Sequence, residues 1–162
     1  MTGKLKLSQL WALTLLRVLI GWHFLYEGIY KLIKEGWSAA GFLSQSKWIL
    51  EGFFRSLAEN AAILKIVNLL NIWGLILIGI SLILGLLERA AAIAGILLVG
   101  LYYLSTPPMP GLHYSIPMEG NYLIVNKNLI EMAALLVLFL IPTGKFAGID
   151  RFIAIFRGKN EI

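Results

Sequence analysis

Residues 66–87 read IVNLLNIWGLILIGISLILGLL, an apolar stretch of 22 residues without a charged side chain. Lys65 precedes the stretch and Glu88 follows it. An α-helix needs about 20 mostly apolar residues to cross the hydrocarbon core of a bilayer. The sequence therefore predicts a membrane-spanning helix here, and with it an integral membrane protein.

Three further apolar stretches predict three further spans. They lie at residues 9–33, at residues 90–105 and within residues 121–141. The last two end at Pro-containing turn signals, Thr-Pro-Pro at 106–108 and Pro-Thr-Gly at 142–144. Little more than Glu88-Arg89 joins the second span to the third, so these two should form an antiparallel hairpin. We expect an all-α, polytopic membrane protein, with residues 1–162 forming a single four-transmembrane-helix bundle.

The composition agrees with a membrane protein and excludes several other classes. Hydrophobic residues make up 59% of the 162 residues and charged residues only 14%, against roughly a quarter charged in soluble domains. The net charge is +5, but the basic residues form no dense run or stripe, which argues against nucleic-acid binding. The chain has no cysteine and two histidines, so we expect no disulfide, no thiol redox chemistry and no metal site.

The two long connections differ in character. Residues 34–65 contain Leu50, Phe53, Phe54 and Leu57 at helical spacing, which predicts an amphipathic helix at the membrane interface, between the first two spans. Residues 105–120 are rich in Pro and Gly and should be irregular. With four spans, the termini and the short hairpin turn share one side, and their basic residues favour the cytoplasm for both termini.

Four ionisable residues of the first span share one arc of the helix. His23, Glu27 and Lys31 follow each other at intervals of four residues. At about 100° per residue they lie at roughly 0°, 40° and 80° on the helical wheel, and Arg17 lies at roughly 120°. Ionisable groups inside a membrane are costly and usually have a function. This arc is therefore the first candidate site.

Polar residues of the other predicted helices gather at the same end of the bundle. They are Asn68, Asn71 and Trp73, Tyr102 and Tyr103, His113 and Glu119, and Asn121, Asn126, Asn128 and Glu131. This convergence indicates an outward-facing polar pocket. A structural interpretation stays open, in which Arg17, Glu27 and Lys31 pair with one another and Glu131 reaches water.

Small and aromatic residues complete the pattern of the first span. Trp22, Tyr26 and Tyr30 repeat beside the charged arc. Gly21 and Gly28 lie on roughly the opposite face, where glycines allow two helices to approach closely. We therefore expect another helix to pack against this glycine face.

Several stretches resemble the DoxX family. Residues 16–32, LRVLIGWHFLYEGIYKL, combine an early Arg, Gly and aromatic residues, a polar residue before Gly and a closing Lys-Leu, which looks like the first DoxX helix. Residues 71–79 (NIWGLILIG) and 84–91 (LGLLERAA) are similar to the second helix, and residues 122–131, with Asn-x-Asn, resemble the start of the fourth. The long 34–65 connection and the Pro-rich segment are closer to DoxD, the membrane subunit of thiosulfate:quinone oxidoreductase.

The resemblance implies a subunit in the cell (inner) membrane of a bacterium or archaeon that passes electrons from a small reduced sulfur anion, such as thiosulfate, to membrane quinone. Quinone would then be the cofactor. The hypothesis assigns three roles. The catalytic residues would be His23, Glu27 and Glu131. The substrate-binding residues would be Arg17, Lys31, Arg55, Asn128 and His113, and the residues that stack on the quinone would be Trp22, Tyr26, Tyr30 and Trp73.

A second hypothesis is a non-enzymatic membrane scaffold or accessory subunit. It would dock a soluble redox or sulfur-transfer partner, or a second small subunit, through the interfacial loop. Membrane lipid is expected to surround the bundle in either case, and a homo-oligomer fits both. A small transporter is disfavoured because the chain shows no inverted repeat or broken pair of helices.

Overall fold

The computed structural model describes residues 5–115 and 123–156. Four longer helices and three short ones occupy these ranges. The longer helices are α1 (Leu7–Ile33), α4 (Ala61–Leu84), α5 (Glu88–Ser105) and α6 (Lys127–Leu140). The short ones are α2 (Ala40–Leu43), α3 (Glu51–Glu59) and α7 (Ile149–Phe156). The predicted all-α class is confirmed, whereas α7 was not predicted.

Three helices, α1, α4 and α5, are long and apolar enough to cross a membrane. Helix α6 has 14 residues, or about 21 Å at 1.5 Å per residue, which is shorter than a hydrocarbon core of about 30 Å. It ends at Leu140, before the predicted stop at 142–144. The start of the predicted fourth span, Asn121, and the loop residue Glu119 lie outside the described residues.

Helix α4 begins at Ala61, five residues before the predicted start at 66, so it includes Lys65. Its N-cap residue is Asn60, whose side-chain oxygen accepts hydrogen bonds from the backbone amides of Ala62 and Ile63 at 3.1 Å each. Such a cap satisfies amides that have no partner inside the helix. The cap therefore explains the earlier start.

The hairpin between α4 and α5 turns at residues 85–87, and the predicted link Glu88-Arg89 is instead the first part of α5. Gly85 takes a left-handed conformation with φ 61°. The amide of Leu86 donates to the carbonyl of Ser81 at 2.9 Å, which closes a Schellman motif. Glycine adopts this conformation without a steric penalty, so the turn falls three residues earlier than the charges suggest.

The first turn of α5 is capped from a distance by α7. Leu87 and Glu88 donate their backbone amides to the two carboxylate oxygens of Asp150, at 3.0 and 3.4 Å. Asp150 also donates its own amide to the carbonyl of Gly85 at 3.0 Å. Helix α7 is thereby fastened to the α4–α5 turn. We call this end of the bundle the turn end.

Helices α1 and α4 make the closest helix pair, as the glycine face predicts. A Cβ at Gly79 would lie 2.5 Å from the backbone nitrogen of Leu25 and 2.7 Å from the carbonyl oxygen of Gly21. A Cβ at Gly28 would lie 2.9 Å from the backbone nitrogen of Ile76. Backbone therefore packs directly against backbone, and the predicted role of Gly21 and Gly28 is confirmed.

Helix α5 packs mainly against α6 and, through the tight turn, against α4, while α1 and α6 touch only lightly. The four longer helices thus form two closely packed pairs, α1 with α4 and α5 with α6, around one apolar core. Core residues come from all four helices: Ile20, Phe24, Leu75, Ile78, Leu82, Ala91, Ala92, Val99, Leu135 and Leu138. Large apolar side chains such as Leu77 and Leu97 are exposed on the outside, as expected for helices that face lipid.

The connection between α1 and α4 folds over the end of the bundle opposite the turn. A second apolar cluster there contains the buried residues Ala39, Leu43 and Phe54. The helix predicted around Leu50–Leu57 is present as α3. Its apolar side chains do not share one environment, because Phe54 is buried and Phe53 is exposed.

Candidate ligand-binding cavity

A cavity of about 530 Å³ opens at the end of the bundle opposite the turn. We call this end the cavity end. Residues of α1, α4, α5 and α6 and of the α1–α4 connection line the cavity. Its volume falls within the roughly 300–1,000 Å³ typical of small-molecule sites. A ligand of modest size therefore has room between the two helix pairs.

A histidine–carboxylate pair joins α1 to α6 at this cavity. His23 Nδ1 lies 2.7 Å from Glu131 Oε1, and both residues line the cavity. A carboxylate that accepts a hydrogen bond from one imidazole nitrogen orients the ring and leaves the other nitrogen available to a ligand. This arrangement is suited to moving a proton.

A second polar group lies farther along α1. Lys31 Nζ donates to Asn71 Oδ1 at 3.1 Å, and Asn71 Nδ2 donates to the hydroxyl of Tyr102 at 2.7 Å. The ammonium group also lies 5.3 Å from the ring centroids of Trp37 and of Tyr102, within the range of cation–π contacts. Glu27 Oε2 is 3.9 Å from Lys31 Nζ. All five residues line the cavity.

The ionisable groups of the cavity balance each other. Glu27 and Glu131 supply two carboxylates, while Lys31 and Lys127 supply two ammonium groups. Their formal charges cancel when His23 is neutral. Apolar side chains make up most of the remaining wall, among them Phe24, Phe42, Leu75 and Val99. The cavity therefore favours a flat or apolar ligand with polar atoms, without an excess charge.

Two connections are hydrogen-bonded to each other at the cavity end. Ser46 Oγ donates to the carbonyl of Ser105 at 2.9 Å, and the amide of Ser115 donates to Gln45 Oε1 at 2.7 Å. These bonds join the α1–α4 connection to the segment after α5. Nearby, Tyr114 donates its hydroxyl to the carbonyl of Pro107 at 2.9 Å, and burial raises the pKa of this phenol. The two connections are thus held against each other.

Arg17 does not reach the cavity, although it shares the helical arc of His23, Glu27 and Lys31. It is only 1% exposed and lies at the turn end. Its Nη1 lies 3.5 Å from Glu88 Oε2, so it pairs with Glu88. The structural interpretation is therefore wrong for Arg17, although its other two members, Glu27 and Lys31, do form an ion pair at 3.9 Å. His23 follows Arg17 by six positions, which correspond to about 9 Å along the helix axis.

The closed cluster around Arg17 has further partners from the segment between α6 and α7. Arg17 donates to Thr143 Oγ1 at 3.1 Å and to the carbonyl of Ala147 at 2.6 Å. The amide of Gly144 donates to Glu88 Oε2 at 2.5 Å. Glu88 and Thr143 are fully buried. Arg17 and Glu88 therefore connect α1, the start of α5 and the segment between α6 and α7.

The four aromatic residues assigned to quinone stacking do not line the cavity. Trp22, Tyr26, Tyr30 and Trp73 are exposed on the outside of the bundle. Trp22 precedes His23 by one residue, and Tyr26 and Tyr30 precede Glu27 and Lys31 in the same way, so they point about 100° away from the charged arc. The aromatic residues that do line the cavity include Trp37, Phe42 and Tyr102.

Two other predicted substrate-binding residues also lie away from the cavity lining. Arg55 forms an ion pair with Glu51 at 2.9 Å on α3. His113 is exposed, and its backbone carbonyl accepts a hydrogen bond from Lys47 Nζ. Of the predicted site residues, the cavity brings together only five: His23, Glu27, Lys31, Asn128 and Glu131.

Sequence reasoning placed Asn71 and Tyr102 at this end of the bundle without assigning them a role. Their location followed from the alternating direction of the spans. A hydrogen bond between them could have been suspected, because both lie at the same end of the bundle. Trp37, Phe42 and Lys127 were missed as lining residues. Trp37 precedes α2 and Phe42 lies in α2, a helix of only four residues, which is too short for a periodicity that marks the inward side. Across the described ranges, no group of three His, Cys, Asp or Glu residues could hold a metal ion.

Three apolar helices of spanning length, exposed apolar flanks and a polar cavity between the helix pairs define a multi-pass membrane protein with a ligand-sized site. The family model of DoxX matches residues 12–105, more than half of the chain. The protein therefore belongs to the DoxX family. The match does not distinguish the DoxD-like subfamily. No curated protein and no solved structure shows a significant match to the chain.

Proposed function

We propose that this protein is a membrane oxidoreductase subunit that passes electrons from a small reduced sulfur anion, such as thiosulfate, to membrane quinone. The quinone headgroup would bind in the cavity. The observation that carries the proposal is the 2.7 Å contact between His23 and Glu131 inside a ligand-sized cavity between apolar helices. A neutral headgroup also suits a cavity whose formal charges cancel.

The protons of the proposed reaction come from the cavity. A quinone that accepts two electrons also takes up two protons, one on each oxygen. His23 can donate a proton from its free ring nitrogen, and Glu131 stabilises the charged imidazole. Glu27 lies one helical turn away on the same wall and can return protons to His23.

The electrons of the proposed reaction come from the anion. Two thiosulfate ions join through a new sulfur–sulfur bond to form tetrathionate and release two electrons, which the quinone accepts. This step requires no thiol of the protein. Lys31 and Asn128 are the predicted substrate-binding residues that line the cavity. An ammonium group in a low-dielectric site stabilises a nearby anion, so Lys31 would offset part of the charge of the anion.

The first test is whether the purified protein carries quinone. We expect organic extraction to release a compound with a quinone absorbance spectrum that changes on reduction with borohydride. In proteoliposomes, Glu27→Gln should slow thiosulfate-dependent quinone reduction roughly ten- to a thousand-fold, the scale of losing a general acid or base. Its melting temperature in detergent should stay near that of the wild type, and Glu59→Gln, at an exposed position of α3, is the matched control.

A quinone-free extract together with no reduction by the wild type would refute the proposal. If a soluble redox or sulfur-transfer protein then co-purified in a fixed ratio, the scaffold hypothesis would replace it. Unchanged activity of Glu27→Gln would remove only Glu27 from the proton route.

The placement in the membrane is part of the proposal. We propose a fourth span that includes α6, an interfacial position for α3, and cytoplasmic termini. The chain has no cysteine, so single cysteines can be labelled selectively. A membrane-impermeant maleimide should label Ser44→Cys in intact cells but not Ser8→Cys. Labelling of position 8 from outside would reverse the orientation. Asn160, near the other terminus, should also face the cytoplasm, and it lies outside the described residues.

A further inference from the structure

The hydrogen bonds around Asn71 have a fixed direction. An ammonium group can only donate, so the side-chain oxygen of Asn71 must face Lys31, at 3.1 Å. The amide nitrogen of Asn71 must then face Tyr102, at 2.7 Å from the hydroxyl oxygen. An amide nitrogen only donates. Tyr102 is therefore the acceptor in this bond, and its own hydroxyl proton is not used in it.

The proton of the Tyr102 hydroxyl has no acceptor among the residues that the structure describes. Tyr102 lines the cavity beside Lys31. The carboxylate of Glu27 is 3.9 Å from Lys31 Nζ, which is too long for a hydrogen bond. Lys31 therefore also keeps donor capacity. Two groups that can donate hydrogen bonds thus lie together at one side of the cavity.

We propose that Tyr102 and Lys31 jointly bind an acceptor oxygen of the ligand, and that Asn71 is the positioning residue that directs the Tyr102 hydroxyl toward it. The inference rests on the proposed function in taking a quinone carbonyl as this oxygen. An oxygen of thiosulfate has the same acceptor chemistry, so the test separates these two sources.

The position of this donor pair fits a ligand with oxygens at both ends. His23 and Lys31 are eight residues apart on α1, which is about 12 Å along the helix axis. A 1,4-quinone carries its two carbonyl groups on opposite sides of one ring. One carbonyl can then accept from His23 while the other accepts from Tyr102 and Lys31. The apolar residues Phe24, Leu75 and Val99 line the same cavity and suit the ring.

The test compares two neighbouring tyrosines. Tyr102→Phe keeps the ring next to Lys31 and removes only the hydroxyl. Tyr103→Phe is the control, because the hydroxyl of Tyr103 donates to the backbone carbonyl of Ile124 at 2.7 Å and Tyr103 is not a lining residue. Binding of a short-tailed 1,4-benzoquinone and of thiosulfate would be measured by titration calorimetry in detergent. We expect Tyr102→Phe to weaken benzoquinone binding about tenfold, the effect of one hydrogen bond, and Tyr103→Phe to leave it unchanged.

A second variant tests the direction of the hydrogen bonds. In Asn71→Asp, a carboxylate can accept from both Lys31 and Tyr102. The Tyr102 hydroxyl then points at position 71 and away from the ligand. We expect about the same tenfold loss of binding as in Tyr102→Phe, with an unchanged or higher melting temperature. If Tyr102 had a purely structural role, Asn71→Asp would bind benzoquinone as well as the wild type does, because Tyr102 keeps all its contacts in this variant.

Each outcome decides between the proposals. Wild-type binding of benzoquinone that is unaffected by Tyr102→Phe and Asn71→Asp overturns the inference and leaves the proposed function intact. Tyr102-dependent binding of thiosulfate alone supports the donor pair and refutes the quinone site. Binding of neither probe by the wild type overturns both.

Discussion

The two ends of the bundle use the same kinds of residue in opposite ways. At the turn end, Arg17 and Glu88 are each 1% exposed and lie 3.5 Å apart in a closed cluster. At the cavity end, the side chains of His23 and Glu131 are in direct contact at 2.7 Å but stay 44% and 12% exposed, because they line the cavity. Arg17 and His23 belong to one helix and one arc of its surface. The residues around them determine that Arg17 is buried and that His23 is accessible.

At the turn end, small residues allow close packing that buries Arg17. At the cavity end, large aromatic side chains line a space between the helix pairs. A Cβ at Gly85 would lie 2.7 Å from Arg17 Nη1, and one at Gly148 would lie 2.8 Å from the Cα of Gly85. The backbone thus packs directly onto the guanidinium group. At the other end, Trp37, Phe42 and Tyr102 line the space between the helix pairs. The comparison indicates a structural role at the turn end and a binding role at the cavity end.

The largest expected effect comes from breaking the turn end. Arg17→Leu leaves the carboxylate of Glu88 buried without its partner. Removing one partner of a buried ion pair typically costs about 3–5 kcal/mol. We expect a strong drop in the melting temperature in detergent, and Arg17→Leu/Glu88→Leu should recover much of it. A normal melting curve combined with lost ligand binding would instead assign Arg17 to the site.

A smaller effect is expected where the two ends are joined, along the α1–α4 contact. Gly79→Ala places a Cβ 2.5 Å from the backbone nitrogen of Leu25, so the helices must separate. Overpacking of this kind costs about 1–3 kcal/mol. Gly74→Ala on the same helix is the control, because nothing lies within 4 Å of its Cβ. Equal melting temperatures of the two variants would contradict the close packing.

The smallest effect is expected for the aromatic residues on the outside of α1 and α4. Tyr30→Leu and Trp73→Leu should change benzoquinone affinity by less than about twofold, since exposed substitutions rarely exceed 0.5 kcal/mol. Trp37→Leu, inside the cavity, should weaken binding clearly more. Calorimetry on the three variants checks this order. A large loss in Tyr30→Leu would move the ligand to the outer surface of α1.

Local sequence was sufficient to predict the helices and their closest contact. Apolar character over a spanning length identified α1, α4 and α5, and the spacing of Gly21 and Gly28 identified the face that packs against α4. These features depend on residues close together in the chain. The family could be recognised for the same reason, because its pattern lies within the first helices.

The partner of Arg17 could not be predicted in this way. It depends on how the segment after α6 returns to the α4–α5 turn, where Thr143 and Ala147 contact Arg17. A helical wheel shows in which direction a side chain points from one helix. It does not show which other segments of the chain pack against that side chain. The position of Trp22, Tyr26 and Tyr30 is a different case, because each of them lies about 100° from the charged arc on the helical wheel, so the sequence alone could have excluded them from a site on that arc.

The most direct test of the account changes one carboxylate at each end to an amide. We predict that Glu131→Gln melts close to the wild type in detergent but slows donor-dependent quinone reduction roughly ten- to a thousand-fold. Glu88→Gln should lower the melting temperature strongly, because Arg17 then lacks its buried partner, while the activity per folded protein stays near that of the wild type. Full activity of Glu131→Gln, or a normal melting curve of Glu88→Gln, would contradict the division into a structural end and a binding end.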